Sequence, residues 1–121
     1  MVVGEVDEER VDRVFHALAD ATRRDILAVV LHREESVSAL ARRYPMSFAA
    51  VQKHVAVLER AGLVVKQRRG REQRVRGDVD ALRRTHELLD RLEVLWRDRL
   101  DRISDVLAAP ADPDPTRGDQ R

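Results

Sequence analysis

Apolar residues recur at intervals of three and four positions along most of this chain, a spacing that predicts a mainly α-helical protein. Residues 1–6 show no such periodicity, and we expect them to form a flexible N-terminus. The first helix is predicted to start at Asp7 and to carry one apolar stripe, formed by Val11, Val14, Phe15 and Leu18.

Two shorter helices follow in the predicted order. Asp20 is a suitable N-cap for a helix from Ala21 to about Leu31, which would bury Ile26, Leu27 and Val30. Ser38 can cap a short third helix that ends at Ala41. Tyr44-Pro45-Met46 then interrupts the pattern, because a proline disfavours helical geometry in the residue before it.

The fourth predicted helix, from Ser47 to Ala61, has the most informative pattern. Ser47 is a candidate N-cap, and Gly62 supplies the left-handed residue that ends the helix. Three residues at helical spacing should point inward together, namely Val51, Val55 and Leu58. The outward face then consists of Phe48, Ala49, Gln52, Lys53 and Ala56. Small residues beside an amide and a lysine suit a DNA major groove, where bulk blocks entry and Gln or Lys can reach base edges.

A basic hairpin and a long helix complete the predicted elements. Residues 63–68 and 72–76 are typical of two strands around a turn that contains Gly70. The last helix should start at Asp78 or Asp80 and reach about Ala108, a length of roughly 45 Å at about 1.5 Å per residue. Together these elements predict a winged helix-turn-helix fold.

The last helix carries an apolar stripe at heptad spacing, which is more apolar surface than a domain of this size covers alone. Folding back onto its own core accounts for part of the stripe. Pairing with a second copy accounts for the rest, so we expect a homodimer. The predicted interface residues lie on this helix and on the first helix, and they are Val11, Phe15, Leu89, Leu92, Trp96 and Ile103.

Length and composition limit the remaining possibilities. The 121 residues fit one domain over 7–108, followed by a Pro/Asp-rich tail over 109–121 that we expect to be disordered. No apolar run approaches the length of a membrane span, so no membrane partner is expected. The acidic, mixed N-terminus resembles neither a signal peptide nor a transit peptide. Since the chain has no cysteine, the cytoplasm is the simplest location.

The distribution of charge is more informative than the net charge of +1. Residues 42–76 contain ten Lys or Arg but only two acidic residues, a local charge of +8, so the rest of the chain carries −7. A basic middle between acidic flanks is typical of nucleic-acid binding. The alternative, a solvated charged face, does not explain why the charge coincides with the groove-shaped helix.

Two stretches of the chain closely resemble the ArsR/SmtB-type transcriptional repressors. They are FHALADATRRDIL and VSALARRYPMSFAAVQKHVAVLERAGLVVKQRRGREQRVR. The resemblance covers about residues 11–108, and the YPMS and LWRDRLDRI segments look most like the metal-independent branch of the family. It implies a homodimer that binds a roughly palindromic operator in double-stranded DNA and blocks a promoter.

The resemblance also implies which residues read DNA. On the fourth helix these are Ser47, Phe48, Ala49, Gln52, Lys53 and His54, and on the wing they are Arg68, Arg69 and Arg71. Two features depart from the family pattern. Ala21 stands where a proline is usual, and the second wing strand lacks the usual aromatic residue.

Individual roles remain open at this point. Gln52 and Lys53 are candidates for base-edge contacts. Ser47 either caps only or also touches a phosphate, while Phe48 contacts a thymine methyl or packs against the preceding turn. His54 contacts a phosphate or joins the core, and any of the wing arginines can enter the minor groove. For Thr22-Arg23-Arg24, helix capping is preferred over DNA contact.

Other functional classes find less support. No catalytic motif is present, so no enzyme is predicted. The lack of cysteine excludes thiolate metal sites, and the His86/Asp90 pair is more typical of a surface hydrogen bond than of half a metal site, so neither metal nor cofactor is expected. Two alternatives stay open: a metal- or small-molecule-responsive repressor with the same fold, and a protein-interaction module that binds an acidic partner.

Overall fold

The computed structural model describes the backbone of residues 3–109 and the side chains of residues 8–109. Within that range five helices and three strands follow one another as α1 Val3–Leu18, α2 Ala21–His32, β1 Glu35–Ser36, α3 Val37–Ala41, α4 Phe48–Arg60, β2 Val64–Arg69, β3 Glu72–Gly77 and α5 Val79–Ala108. The predicted mainly α-helical class with a small hairpin is confirmed. Apart from Ala109, the predicted disordered tail lies outside the described residues.

Helix α1 begins earlier than the sequence pattern predicts. It starts at Val3, so the predicted start at Asp7 is wrong, and residues 3–6 belong to the helix. The predicted start was placed by apolar periodicity, which residues 3–6 lack, so the pattern gave no signal for this first turn.

Side-chain caps define the starts of the next three helices. Asp20 caps α2 as predicted, by accepting from the amide of Arg23 at 3.0 Å. Helix α3 is capped by Ser36, whose Oγ accepts from the amide of Ala39 at 3.0 Å, so the predicted cap at Ser38 is wrong. The cap lies two residues earlier because Val37 is buried and already helical.

The strands form an antiparallel sheet in the order β1-β3-β2. In the hairpin, Val64 pairs with Gly77 and Arg69 with Glu72, so the connecting turn contains only Gly70 and Arg71. Gly70 has a φ of 62°, which matches the primed turns that connect hairpin strands. β1 was not predicted, since two residues are too short to show any periodicity.

The chain divides into two compact units, residues 1–86 and residues 87–121. The first unit contains every buried apolar side chain of the described residues, and the largest of those that are fully buried are Ile26, Leu40, Leu58, Leu63, Val51, Val55 and Val75. In the second unit, every described residue from Leu89 to Ala109 is exposed. No helix within residues 3–109 is long and apolar enough to cross a membrane.

Candidate nucleic-acid interface

Helices α3 and α4 pack against each other and form the helix-turn-helix of the first unit. Tyr44 lies in the turn between them and ties that turn to α2, because its hydroxyl donates to Asp25 Oδ2 at 2.6 Å. Partial burial, together with this hydrogen bond, raises the pKa of Tyr44 to about 12. The sequence pattern marked this turn only as a break between helices, and it gave no signal for the contact across 19 residues.

The two faces of α4 divide as the spacing predicts. Val51, Val55 and Leu58 are at most 1% exposed and fix the back of the helix to the core. The opposite face presents four exposed residues over its first two turns, namely Phe48, Ala49, Gln52 and Lys53. Ala56, which was predicted to face outward, is half-buried at the edge of this face. The exposed surface suited to a groove is therefore concentrated in the N-terminal half of α4.

Ser47 caps α4. Its Oγ accepts from the amide of Ala50 at 3.1 Å, and its backbone is extended, with a φ of −68° and a ψ of 156°. Because the residue is exposed, the same hydroxyl also faces solvent beside the free amides of the first helical turn. These amides and the positive end of the helix make this terminus a suitable place for a phosphate.

His54 is half-buried at the side of α4, where its Nδ1 lies 3.3 Å from Nη1 of Arg23. A guanidinium can only donate, so the contact is a hydrogen bond when Nδ1 accepts, which is the tautomer with its proton on Nε2. Arg23 also donates to the carbonyl oxygens of Ala17 and His16, at 2.7 and 3.0 Å. Arg23 therefore caps the end of α1, in agreement with the preferred prediction for this residue, and also orients His54.

The wing presents all three predicted arginines to solvent, but not in the same way. Side chains alternate along a strand, and paired residues share a face. Val64 and Val75 are buried on the inner face of the hairpin. Arg68 lies on the same face but nearer the turn, where it is exposed. Arg69 lies on the outer face, and Arg71 lies in the turn. The missing wing aromatic does not prevent pairing, since β3 pairs with both of its neighbours.

An ion-pair network lies on the outer face of the wing. Glu34, directly before β1, accepts from Arg69 Nη1 at 3.1 Å and from Arg74 Nε at 3.0 Å, both through Oε2. Arg74 also contacts Glu72 at 3.1 Å. The hydrogen bond that Arg74 donates to Glu34 raises the pKa of Arg74, so this guanidinium stays charged. The sequence gave no signal for this network, because its members lie 35 and 40 residues apart.

The predicted dimer residues are exposed to differing degrees. Trp96 and Leu92 of α5 are 55% and 53% exposed. Leu89, Ile103 and, on α1, Phe15 are also exposed, whereas Val11 is only half-exposed. Among the residues described by the structure, no three His, Cys, Asp or Glu side chains are grouped so that they can hold a metal ion.

Comparison with known proteins gives a consistent result. Residues 18–67 match a family described as a helix-turn-helix domain. The HTH-type transcriptional regulator Rv2034 of Mycobacterium tuberculosis is 39% identical over 80 residues, which cover 66% of this chain and 75% of that protein.

Solved structures agree with the sequence comparison. An ArsR-like transcriptional regulator from Rhodococcus sp. RHA1 has a TM-score of 0.75 and 35% identity, and the match covers 86% of this chain and 98% of that one. A homodimeric winged helix-turn-helix DNA-binding domain from Mycobacterium bovis, described as a possible ArsR-family regulator, has a TM-score of 0.62 and 27% identity over 83% and 90% of the two chains. This chain therefore belongs to the ArsR-type family of winged helix-turn-helix transcriptional regulators.

Proposed function

We propose that the protein is a homodimeric repressor that binds a palindromic operator. The observation that carries this proposal is the division of α4, whose buried back is fixed to the core while Phe48, Ala49, Gln52 and Lys53 are exposed on one face. Two such helices, related by a two-fold axis, would enter successive major grooves about 34 Å apart. Occupation of a promoter by the dimer would then block transcription. This role places the protein in the cytoplasm, together with the chromosome.

Within this proposal, Gln52 and Lys53 read base edges, Phe48 and Ala49 contact the groove wall, and Ser47 and His54 contact phosphates. Gln pairs with adenine and Lys with guanine. His54 suits a phosphate contact because it lies at the side of α4, where the tautomer that accepts from Arg23 through Nδ1 has a donor at Nε2. Exposed arginines of the wing, from among Arg68, Arg69 and Arg71, supply contacts to the DNA backbone beside the groove.

Exposure of the apolar residues of α5 supports the dimer. Leu89, Leu92, Trp96 and Ile103 fall within one face of α5 at about 100° per residue, and each is at least 45% exposed in the single chain. Phe15 of α1 is 40% exposed, and the relative from Mycobacterium bovis is homodimeric. Covering these side chains would remove a large apolar area from water, which a second copy can do symmetrically.

Val94 offers a matched control for the dimer. It is also apolar and 48% exposed, but it lies on the opposite side of α5. We expect Trp96→Asp to shift the protein to a monomer and Val94→Asp to leave a dimer, as measured by light scattering after size exclusion. Equal behaviour of the two variants would contradict the assigned interface.

The experiment that tests DNA reading is the selection of bound duplexes from a random pool, followed by titration of the selected duplex and a scrambled one at physiological salt. We expect a clear preference for an inverted-repeat sequence, and the proposal fails if selected and scrambled duplexes bind equally. Lys53→Ala should relax preference at particular base positions. Arg60→Ala, which removes an exposed charge at the other end of α4, should leave that preference unchanged.

Repression itself is tested by transcription in vitro from a promoter that carries the selected operator. We expect added protein to reduce run-off transcript in the concentration range in which it binds the operator. An increase in transcript would identify an activator instead.

A further inference from the structure

The wing of this protein carries six basic residues, and only three of them pair with carboxylates in the described part of the chain. Lys66 pairs with Glu59 at 3.5 Å, while Arg69 and Arg74 pair with Glu34 at 3.1 and 3.0 Å. Within the described residues no carboxylate pairs with the other three arginines of the hairpin, which are Arg68, Arg71 and Arg76. Half of the positive charge of the wing is thus already compensated inside the protein.

Glu34 is held in a position from which its carboxylate pairs with Arg69. Glu34 precedes β1, which pairs with β3, and Ser36 of β1 lies opposite Arg74. The carboxylate is therefore held beside the outer face of the hairpin by backbone hydrogen bonds. Its side chain is only 21% exposed, and Arg74, which shares its Oε2, is 26% exposed. The Arg69 side chain is itself 60% exposed, but a partly buried carboxylate that accepts from two guanidinium groups loses less of its attraction to solvent screening than an exposed one.

Two carboxylates and two guanidinium groups make this network electrically neutral. Glu34 and Glu72 offset Arg69 and Arg74. An arginine whose charge is already compensated gains little from a phosphate, and releases correspondingly few counterions from DNA. Arg68 and Arg71 differ, because no carboxylate of the described residues pairs with either of them, and Arg68 points to the opposite face of the hairpin from Arg69.

We propose that Glu34 is a positioning residue that holds Arg69 against the outer face of the wing, so that Arg68 and Arg71 make the wing's phosphate contacts. The inference rests on the proposed DNA binding and assigns different roles to arginines that the sequence makes equivalent. Arg69 supports the shape of the wing through Glu34. Glu34 in turn limits how much charge the wing presents to DNA.

The dependence of duplex affinity on salt tests this assignment directly, since each phosphate contact contributes about 0.9 to the slope of log K against log salt. The operator duplex and a scrambled duplex are titrated at several salt concentrations with six variants: E34Q, R69A, the E34Q/R69A double variant, R68A, R71A and the control E35Q. Glu35 is a suitable control because it neighbours Glu34, is 19% exposed, and pairs with Arg33 and not with the wing. Circular dichroism confirms that each variant is folded.

We expect R68A and R71A each to flatten the slope by about 0.9, and R69A to leave it unchanged within about 0.3. E34Q frees Arg69, so its slope should steepen by about 0.9 and its affinity for both duplexes should rise roughly three- to fivefold at low salt. The double variant should return to the wild-type slope, and E35Q should match the wild type.

Several outcomes would overturn the proposal. One is a loss of slope in R69A equal to that in R68A, and another is an E34Q slope identical to that of the wild type. An effect of E35Q as large as that of E34Q would show a general charge effect instead of a specific one. Failure of the proposed function would look different: the wild-type protein itself would show no salt-dependent binding to either duplex.

Discussion

Substitution of Ser47 separates the stability of α4 from its contact with DNA. In the structure, Ser47 Oγ accepts from the Ala50 amide at 3.1 Å, so Ser47→Ala removes a partner of that amide. The loss of an N-cap hydroxyl costs about 1 kcal/mol, within a range of roughly 0.5–2 kcal/mol. For a folded unit of about 80 residues, that cost lowers Tm by roughly 4–8 °C. We expect this decrease in Ser47→Ala.

Ser47→Asp keeps the cap and adds a negative charge. Asp caps as well as Ser does, and a carboxylate interacts favourably with the helix N-terminus, so the Tm of this variant should equal or exceed that of the wild type. Beside a phosphate about 5 Å away, the added charge should cost roughly 1–3 kcal/mol, for an effective dielectric constant between about 80 and 20. Affinity for the operator should therefore fall roughly 5- to 150-fold.

Two measurements on the same preparations test this reasoning. Thermal unfolding is followed at one fixed protein concentration, because the Tm of a dimer depends on concentration. Operator affinity is measured by fluorescence anisotropy at one salt concentration. Ser38→Ala is the control, since Ser38 is exposed and does not cap α3. An operator affinity of Ser47→Asp within twofold of the wild type would refute the phosphate contact, and a Tm as low as that of Ser47→Ala would refute the cap.

Three further predictions concern stability. A Cβ at Gly77 would lie 2.5 Å from Leu31 Cδ2 and 3.0 Å from Leu31 Cα, so in urea melts Gly77→Ala should lose about 1–3 kcal/mol. Gly62→Ala should lose about 1–2 kcal/mol for a different reason, since its Cβ meets open space but its φ of 77° is strained for any residue with a side chain. Burial raises the pKa of Tyr44 to about 12, so its contribution to stability is complete below pH 10 and is lost as the pH rises towards 12; Tyr44→Phe should melt without that loss. The Arg23 amide lowers the pKa of Asp20, so its contribution is present above about pH 4 and disappears in acid; Asp20→Asn should flatten the acid limb of a Tm-against-pH curve, and an unchanged limb would contradict this origin.

Most of the fold was predictable because its determinants are local. The α4 pattern needs only a Ser, three apolar residues at helical spacing and a Gly, and all of them lie within 16 residues. Each of these residues acts on its own turn of the helix. Ser47 caps the first amides, and Gly62 ends the helix with a φ of 77°. The three apolar residues are at most 1% exposed and fix the helix to the core. The family resemblance covered the same elements, so two independent arguments agreed.

What the sequence did not show depends on contacts between distant residues or on very short elements. β1 is two residues long, and its strand geometry comes from pairing with β3 some 40 positions later. The cap of α3 was misplaced because Ser36 and Ser38 are equally good caps by residue type, and only the burial of Val37 decides between them. The start of α1 was misplaced because residues 3–6 have no apolar periodicity, the signal by which that start was predicted.

The effective charge of the candidate interface also depends on contacts between residues that are distant in the sequence. The local charge of +8 was counted over residues 42–76, but Glu34, which compensates Arg69 and shares Arg74, lies eight residues before that range. A charge count over this range therefore treats Arg69 and Arg74 as free positive charges, although both pair with Glu34 in the fold. Since counterion release depends on charge that is uncompensated in space, the salt dependence of binding should follow the unpaired residues, Lys53, Arg68 and Arg71 among them, and not the ten basic residues of the window. For this regulator, a residue far from the recognition helix thus sets how strongly the wing engages DNA.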